Sequence, residues 1–359
     1  MFDSGELALI SNVGTLVEPV DNVTQIRNKS KKAPLGLYSH SDQVYQWQTG
    51  VPHERVSTGW GGKIADLVKS CNNGEDISMN ISLSGTNVFQ TGNSIVEYAI
   101  SPYNGVVTIN NDGGTWALPQ IIKNSLDSML YNHYTDAYKK TYVDLTRNSR
   151  EGAATLKAAL ATAPTYNTPF ATSNNLSNSL KYIADVIASR SLIGHNKRQI
   201  FFVEYGGWDH HDEVINNQNE MLGIVNQALD TFNKALKQLG VFNQVTTFTM
   251  SEFARTLTSN GNGTDHGWGG NVFIMGGDVN GGTVYGNYPS LALQSSIDLG
   301  NGVLIPSTST DEYFGELALW FGLPPTQLPL IYPNINRFYS YQPGSMPIGF
   351  MKSQGSTCI

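Results

Sequence analysis

Charged residues are scarce in this chain. They make up 14% of its 359 residues, against about a quarter in ordinary soluble domains, and Asn, Ser, Thr and Gly carry the polar balance. Lys and Arg total 22 against 29 Asp and Glu, a formal net charge of -7. With no basic stretch along the chain, nucleic-acid binding through phosphate neutralisation is excluded. Cysteine is nearly absent. Cys71 and Cys358 are the two, far apart and outside any C-x-x-C pattern. That excludes a zinc–cysteine site and a disulfide scaffold and leaves free thiols as the expectation, with one disulfide between the two as the alternative. No apolar run approaches the roughly 18 residues that span a bilayer. The opening MFDSGEL has neither a basic nor an apolar segment, so the chain as given carries no signal peptide. Histidine is also sparse, with seven in all, so their positions matter.

What the chain does have is a 40% hydrophobic complement, enough for a sizeable core. LALISNVG, within residues 6–16, reads as a buried strand ended by Gly14. Residues 35–50 read as a turn and a helix stopping at Thr49-Gly50. A second helix is expected over 61–73, with Ile64, Leu67 and Val68 at helical spacing. Residues 74–125, rich in Asn, Gly, Ser and Thr, read as a β-rich insert. Residues 126–160 read as helical and 161–175 as a loop. The second half is more regular: an amphipathic helix over 176–193, a strand over 199–205 and a long helix over 212–239. Strands follow at 245–250 and 271–277, then a helix over 310–322 capped by Asp311 and stopped at Gly322. This alternation predicts one α/β domain over 1–338 with a mostly parallel central sheet, and a surface tail over 339–359.

Three motifs lie at strand ends, where open α/β sheets bind ligands. Gly206 to Asp212 packs two carboxylates and two imidazoles, Asp209, His210, His211 and Asp212, into four residues. Ser251-Glu252-Phe253-Ala254-Arg255 follows the strand 245–250. Thr264-Asp265-His266-Gly267 precedes the strand 271–277. Imidazole with carboxylate suits zinc, iron or manganese, and carboxylate with water suits magnesium or calcium. Asp209, His211 and His266 are therefore candidate ligands, with Glu252 on the same or a second ion. Three protein ligands and an open position describe a catalytic site. Arg255 is the candidate grip on a phosphate or sulfate oxygen. Before the helix ending at Gly50, Tyr38-Ser39-His40-Ser41-Asp42 places hydroxyls at a helix N-terminus, where an oxyanion is favoured and where plain N-capping by Ser39 or Ser41 is the alternative.

The strings GGWDHHDE, SEFARTLTSNGNGTDHGWGGNVFIMGGDVNGGTVYG and STSTDEYFGELALWFGL resemble the bacterial domain-of-unknown-function family 1501. The resemblance runs from GELALISNVG through SHSDQVYQWQTG to PNINRF. That family resembles in turn the alkaline phosphatase and sulfatase superfamily. The resemblance implies a three-layer α/β/α sandwich that hydrolyses phosphate or sulfate esters of small molecules or glycans at one or two divalent ions, zinc first. It also implies a periplasmic or secreted location. Asp209 and His211 resemble the aspartate–histidine pair of the first metal, and His266 the late histidine that completes it. Ser251 and Glu252 occupy the place of the second metal's Asp-His pair, a departure that supplies one strong ligand at most. Ser39 resembles the nucleophile, with His40 as the alternative; His210 and Asp265 are secondary candidates. Neither Pro nor Arg stands where a sulfatase signature has them, so formylglycine chemistry is not expected. Family members open with a twin-arginine signal and a strand ending in Gly-Gly-x-Asp. This chain begins after that segment, which predicts an incomplete second site. The alternatives are a non-catalytic secreted binding protein acting through 74–125, or an inactive truncated form.

Overall fold

The computed structural model describes residues 1–72, 77–103, 105–106, 114–171, 173–195 and 197–357. The first half holds β1 (Leu7–Gly14), α1 (Val23–Arg27), α2 (His40–Thr49), α3 (Trp60–Val68), β2 (Asn80–Ser82), β3 (Tyr98–Ala99), α4 (Ala117–Leu130) and α5 (Ala137–Ala161). Then come α6 (Asn175–Ala188), β4 (Ile200–Phe202), α7 (Val214–Gln238), β5 (Thr246–Phe248), β6 (Arg255–Ser259), β7 (Thr264–His266), β8 (Gly270–Gly276), β9 (Val284–Tyr285), β10 (Thr308–Ser309), α8 (Thr310–Trp320) and α9 (Leu328–Ile331). The fold is α/β, as expected.

One sheet runs in the order β10-β1-β8-β5, with β9 also on β1, and a second in the order β3-β2-β4. β1 pairs parallel with β10 and β9, and β2 with β3 and β4. β8 is antiparallel to both β1 and β5, so the larger sheet is mixed where a mostly parallel one was expected. The direction of β8 has a simple cause. Between β5 and β8 the chain makes only the antiparallel pair β6–β7, and a parallel return needs a longer crossover, usually a helix.

The period of two along β8 sends its side chains into two cores. Val272 and Ile274 pack with Trp47 of α2, Ile64 of α3 and Phe314 of α8. Phe273 and Met275 pack with Leu180 and Ile183 of α6 and Phe232 and Leu236 of α7. Each buried aromatic or branched side chain contributes roughly 1.5–3 kcal/mol relative to exposure. These two cores hold rigid the strand ends that lead into the candidate site.

Several expectations are corrected. The helix expected over 126–160 is two helices: α4 begins earlier, at Ala117, and α5 is capped by Asp136, whose side chain accepts from Lys139 N. The cap of α8 is Ser309, which forms a capping box with Glu312; Asp311 is the second residue of the first turn, fully buried. The segment 74–125, expected to be β-rich, supplies β2, the middle strand of its sheet, and β3; its residues 74–76, 104 and 107–113 lie outside the described residues. The tail leaves the surface at Phe350 and Met351, which are buried in the first core. Cys71 is disulfide-bonded, not a free thiol. Separation in sequence is no bar to pairing once folding brings two Cα atoms within about 4.4–6.8 Å. Cys358 lies outside the described residues. Among the described residues no helix is long and apolar enough to cross a membrane.

Candidate metal centre

The site is assembled from four places in the chain. The turn after β4 carries Asp209 and His211, the segment after β5 carries Glu252, β6 and β7 carry Arg255 and His266, and α2 begins at His40. Two hydrogen bonds tie the β6–β7 pair and its loop to the turn: the Thr264 N–H donates to the His210 carbonyl at 3.1 Å, and the Asn260 side-chain Nδ2 to the His211 carbonyl at 3.2 Å. The approach requires glycine at 263, where a Cβ would lie 2.2 Å from the His211 carbonyl carbon.

Three donor atoms converge there. Asp209 Oδ1 lies 3.1 Å from His211 Nε2 and 3.2 Å from His266 Nε2, and the two Nε2 atoms are 3.1 Å apart. The opposite ring nitrogens both face acceptors. His266 Nδ1 lies 2.9 Å from the Tyr38 carbonyl and His211 Nδ1 3.2 Å from Asp265 Oδ1. A neutral imidazole that donates from Nδ1 keeps a lone pair on Nε2. In that tautomer both rings turn a lone pair toward Asp209 Oδ1, which also accepts from Arg255 Nη1, and a bound cation would be held between the three donor atoms. Neighbouring donors on tetrahedral zinc, with bonds of about 2.0–2.1 Å, stand roughly 3.3 Å apart. Metal-binding histidines ordinarily give their other N–H to a carbonyl or carboxylate. The donor set therefore fits a divalent ion.

His40 joins from the other side. Its Nε2 lies 3.2 Å from Asp209 Oδ2 and its Nδ1 3.0 Å from Glu252 Oε1. His40, Asp209 and His266 offer ligand atoms that all lie within 4.8 Å of one another. The bond to Glu252 holds the His40 pKa above its ordinary value, against burial, and Asp209 adds to the rise. Burial would push the Asp209 carboxyl up, but hydrogen bonding and charge from Arg255, with the two nearby histidines, hold it below the usual range.

The expected residues divide by what they touch. Asp209, His211, His266 and His40 are brought together. Glu252 orients His40 through Nδ1, where a direct ligand was expected. Arg255 gives Nη1 to Asp209 Oδ1, Nη2 to the Thr264 carbonyl and Nε to Thr264 Oγ1, so three of its five donors serve the protein and not an external oxyanion. Asp265 orients His211. Ser39 caps α2, its hydroxyl accepting from Asp42 N and lying 3.2 Å from Ser41 Oγ. Ser251 Oγ bonds the Phe253 carbonyl. His210 turns inward, buried beside Trp208. Two participants escaped the sequence reading. Phe253 stacks on His266 with ring centres 4.3 Å apart and lies 4.8 Å from His40; its place in the SEFAR motif was the signal available. Tyr38 acts through its backbone carbonyl, which no residue type announces.

The fold and this cluster define an α/β protein with a histidine–carboxylate centre at its strand ends. A family model described as "Protein of unknown function (DUF1501)" matches residues 48–324, and the chain belongs to that family. No curated protein and no solved structure matches it.

Proposed function

We propose that this protein is a metal-dependent hydrolase of phosphate- or sulfate-type esters, built on an alkaline-phosphatase-like α/β/α plan and acting on small-molecule or glycan esters outside the cytoplasm. The observation that carries the reading is the convergence of Asp209 Oδ1, His211 Nε2 and His266 Nε2 within 3.1–3.2 Å. Imidazole and carboxylate together favour zinc, with manganese, calcium and magnesium as the other candidates. Such an ion supplies Lewis-acid polarisation of the ester oxygen.

The chain's own groups do the rest. Asp209, His211 and His266 hold the ion, and His40 stands beside them on Asp209 Oδ2. Asp265 and Glu252 keep His211 and His40 turned inward. The two Arg255 N–H groups left over from Asp209 and Thr264 suit a substrate oxygen. Ser39 is the nucleophile candidate, its hydroxyl at the positive end of α2, where an alkoxide is favoured.

The assay is turnover of p-nitrophenyl phosphate, bis(p-nitrophenyl) phosphate and p-nitrophenyl sulfate with each of the four ions. The expected result is metal-dependent hydrolysis of at least one ester, abolished by chelation and cut by about 100-fold or more in Asp209→Asn. Ser39→Ala then separates attack by serine from attack by water. No metal-dependent turnover on any of the three would sink the enzyme reading. It would favour a non-catalytic binding protein, a reading supported by the Arg255 guanidinium, which already gives Asp209 a cationic partner.

A further inference from the structure

We propose that Gln43 and Tyr38 are positioning residues that fix the tautomer of His266, an inference that rests on the metal-centre reading above. Tyr38 has φ +73°, a left-handed conformation that a bulky residue rarely adopts. Such strain persists where the surroundings hold it, and here two hydrogen bonds do. The Tyr38 N–H donates to Gln43 Oε1 at 2.6 Å, and the Tyr38 carbonyl accepts from His266 Nδ1 at 2.9 Å.

Gln43 sits on α2 and is completely buried. Its Nε2 is buried with no hydrogen-bond partner among the described residues. A buried amide left half satisfied is costly, so the arrangement makes sense if the acceptor end has a task. That task is to hold the turn between Gly36 and Ser39, where Ser39 N–H closes on the Gly36 carbonyl at 2.9 Å.

If the turn relaxed to an ordinary conformation, the Tyr38 carbonyl would swing away and His266 Nδ1 would lose its acceptor. The imidazole proton would then be free to sit on Nε2, pointing at Asp209 and His211, and the bare donor would be gone. Two residues beyond Tyr38 the same turn delivers His40. One buried glutamine thus sets both the tautomer of one donor and the placement of another. The roles of Tyr38 and Gln43 are indirect, since neither side chain is placed in the donor cluster.

The test uses the full chain labelled with 15N-histidine, studied by long-range 1H–15N NMR without metal, and a Co2+ titration followed by visible absorption. In the wild type, His266 should carry its proton on Nδ1. Gln43→Met, which loses the acceptor, should mix the tautomers and weaken Co2+ binding about 10-fold, as loss of an outer partner does. Gln43→Glu, which keeps an acceptor, should restore the wild-type tautomer. Tyr38→Asn, whose side chain tolerates the left-handed region, should keep both tautomer and affinity. A wild-type His266 protonated on Nε2, or a folded Gln43→Met with unchanged tautomer and Co2+ affinity, would overturn the proposal. The expected tautomers in a protein that binds no Co2+ would support the positioning role and overturn the metal centre alone.

Discussion

Asp209 is the residue on which the cluster turns. One of its oxygens faces His211, His266 and Arg255, and the other faces His40. Glu252, by contrast, touches the donors only through His40 Nδ1. The two acids should therefore separate in a metal-binding titration. Asp209→Asn is expected to abolish binding, and Glu252→Gln to weaken it about 10-fold, the lower end of the outer-partner range. Equal losses in the two variants would make Glu252 a ligand. At this scale much was legible. The Asp-His-His and Thr-Asp-His strings announced their imidazoles and carboxylates. What the letters could not show was commitment. A guanidinium reads as available charge until its partners, Asp209 and the Thr264 carbonyl, are seen.

Elements were legible where periodicity is long. The amphipathic patterns of α6 and α7 and the apolar run of β8 appear where expected. Boundaries and direction were less so, because β4 and β5 are three residues each and pairing direction depends on the connection, not on strand composition. The mistaken cap of α8 has the same origin: Ser309 and Asp311 are both good cap residues, and only the capping box with Glu312 decides between them. Inside α8, Glu316 accepts backbone N–H groups from Ile348, Gly349 and Met351 at 2.6–2.7 Å, which draws the tail into the core. Glu316→Ala leaves those donors unpaired and should cost about 2–4 kcal/mol in urea unfolding, with faster amide exchange across 348–351. Burial raises the Glu316 pKa above the usual 4.5 despite those bonds. The folded state then holds its proton more tightly than the unfolded chain. Its contribution to stability is fully present below pH 4.5 and falls as pH rises through the folded value. Glu316→Gln should flatten that decline, as urea unfolding at a series of pH values would show; an unchanged slope would assign it to other buried acids.

At the scale of the whole molecule, composition bounded the class well. A chain poor in charge and basic clusters, with a large apolar share, folds as an α/β protein with a core on each face of β8. Long-range closure was not legible: the Cys71 disulfide and the burial of Phe350 depend on contacts between distant segments, which no local pattern encodes. The scarcity of histidine proved informative. Of seven in the chain, His40, His211 and His266 meet at one carboxylate. The account stands most directly on metal content. Protein equilibrated with excess Zn2+, exhaustively dialysed and analysed by plasma mass spectrometry should retain at least one ion per chain, and His211→Ala and His266→Ala should each lose it while remaining folded. Near-zero metal in the wild type, or the same content in all three proteins, would contradict the assignment of Asp209, His211 and His266 as a metal centre.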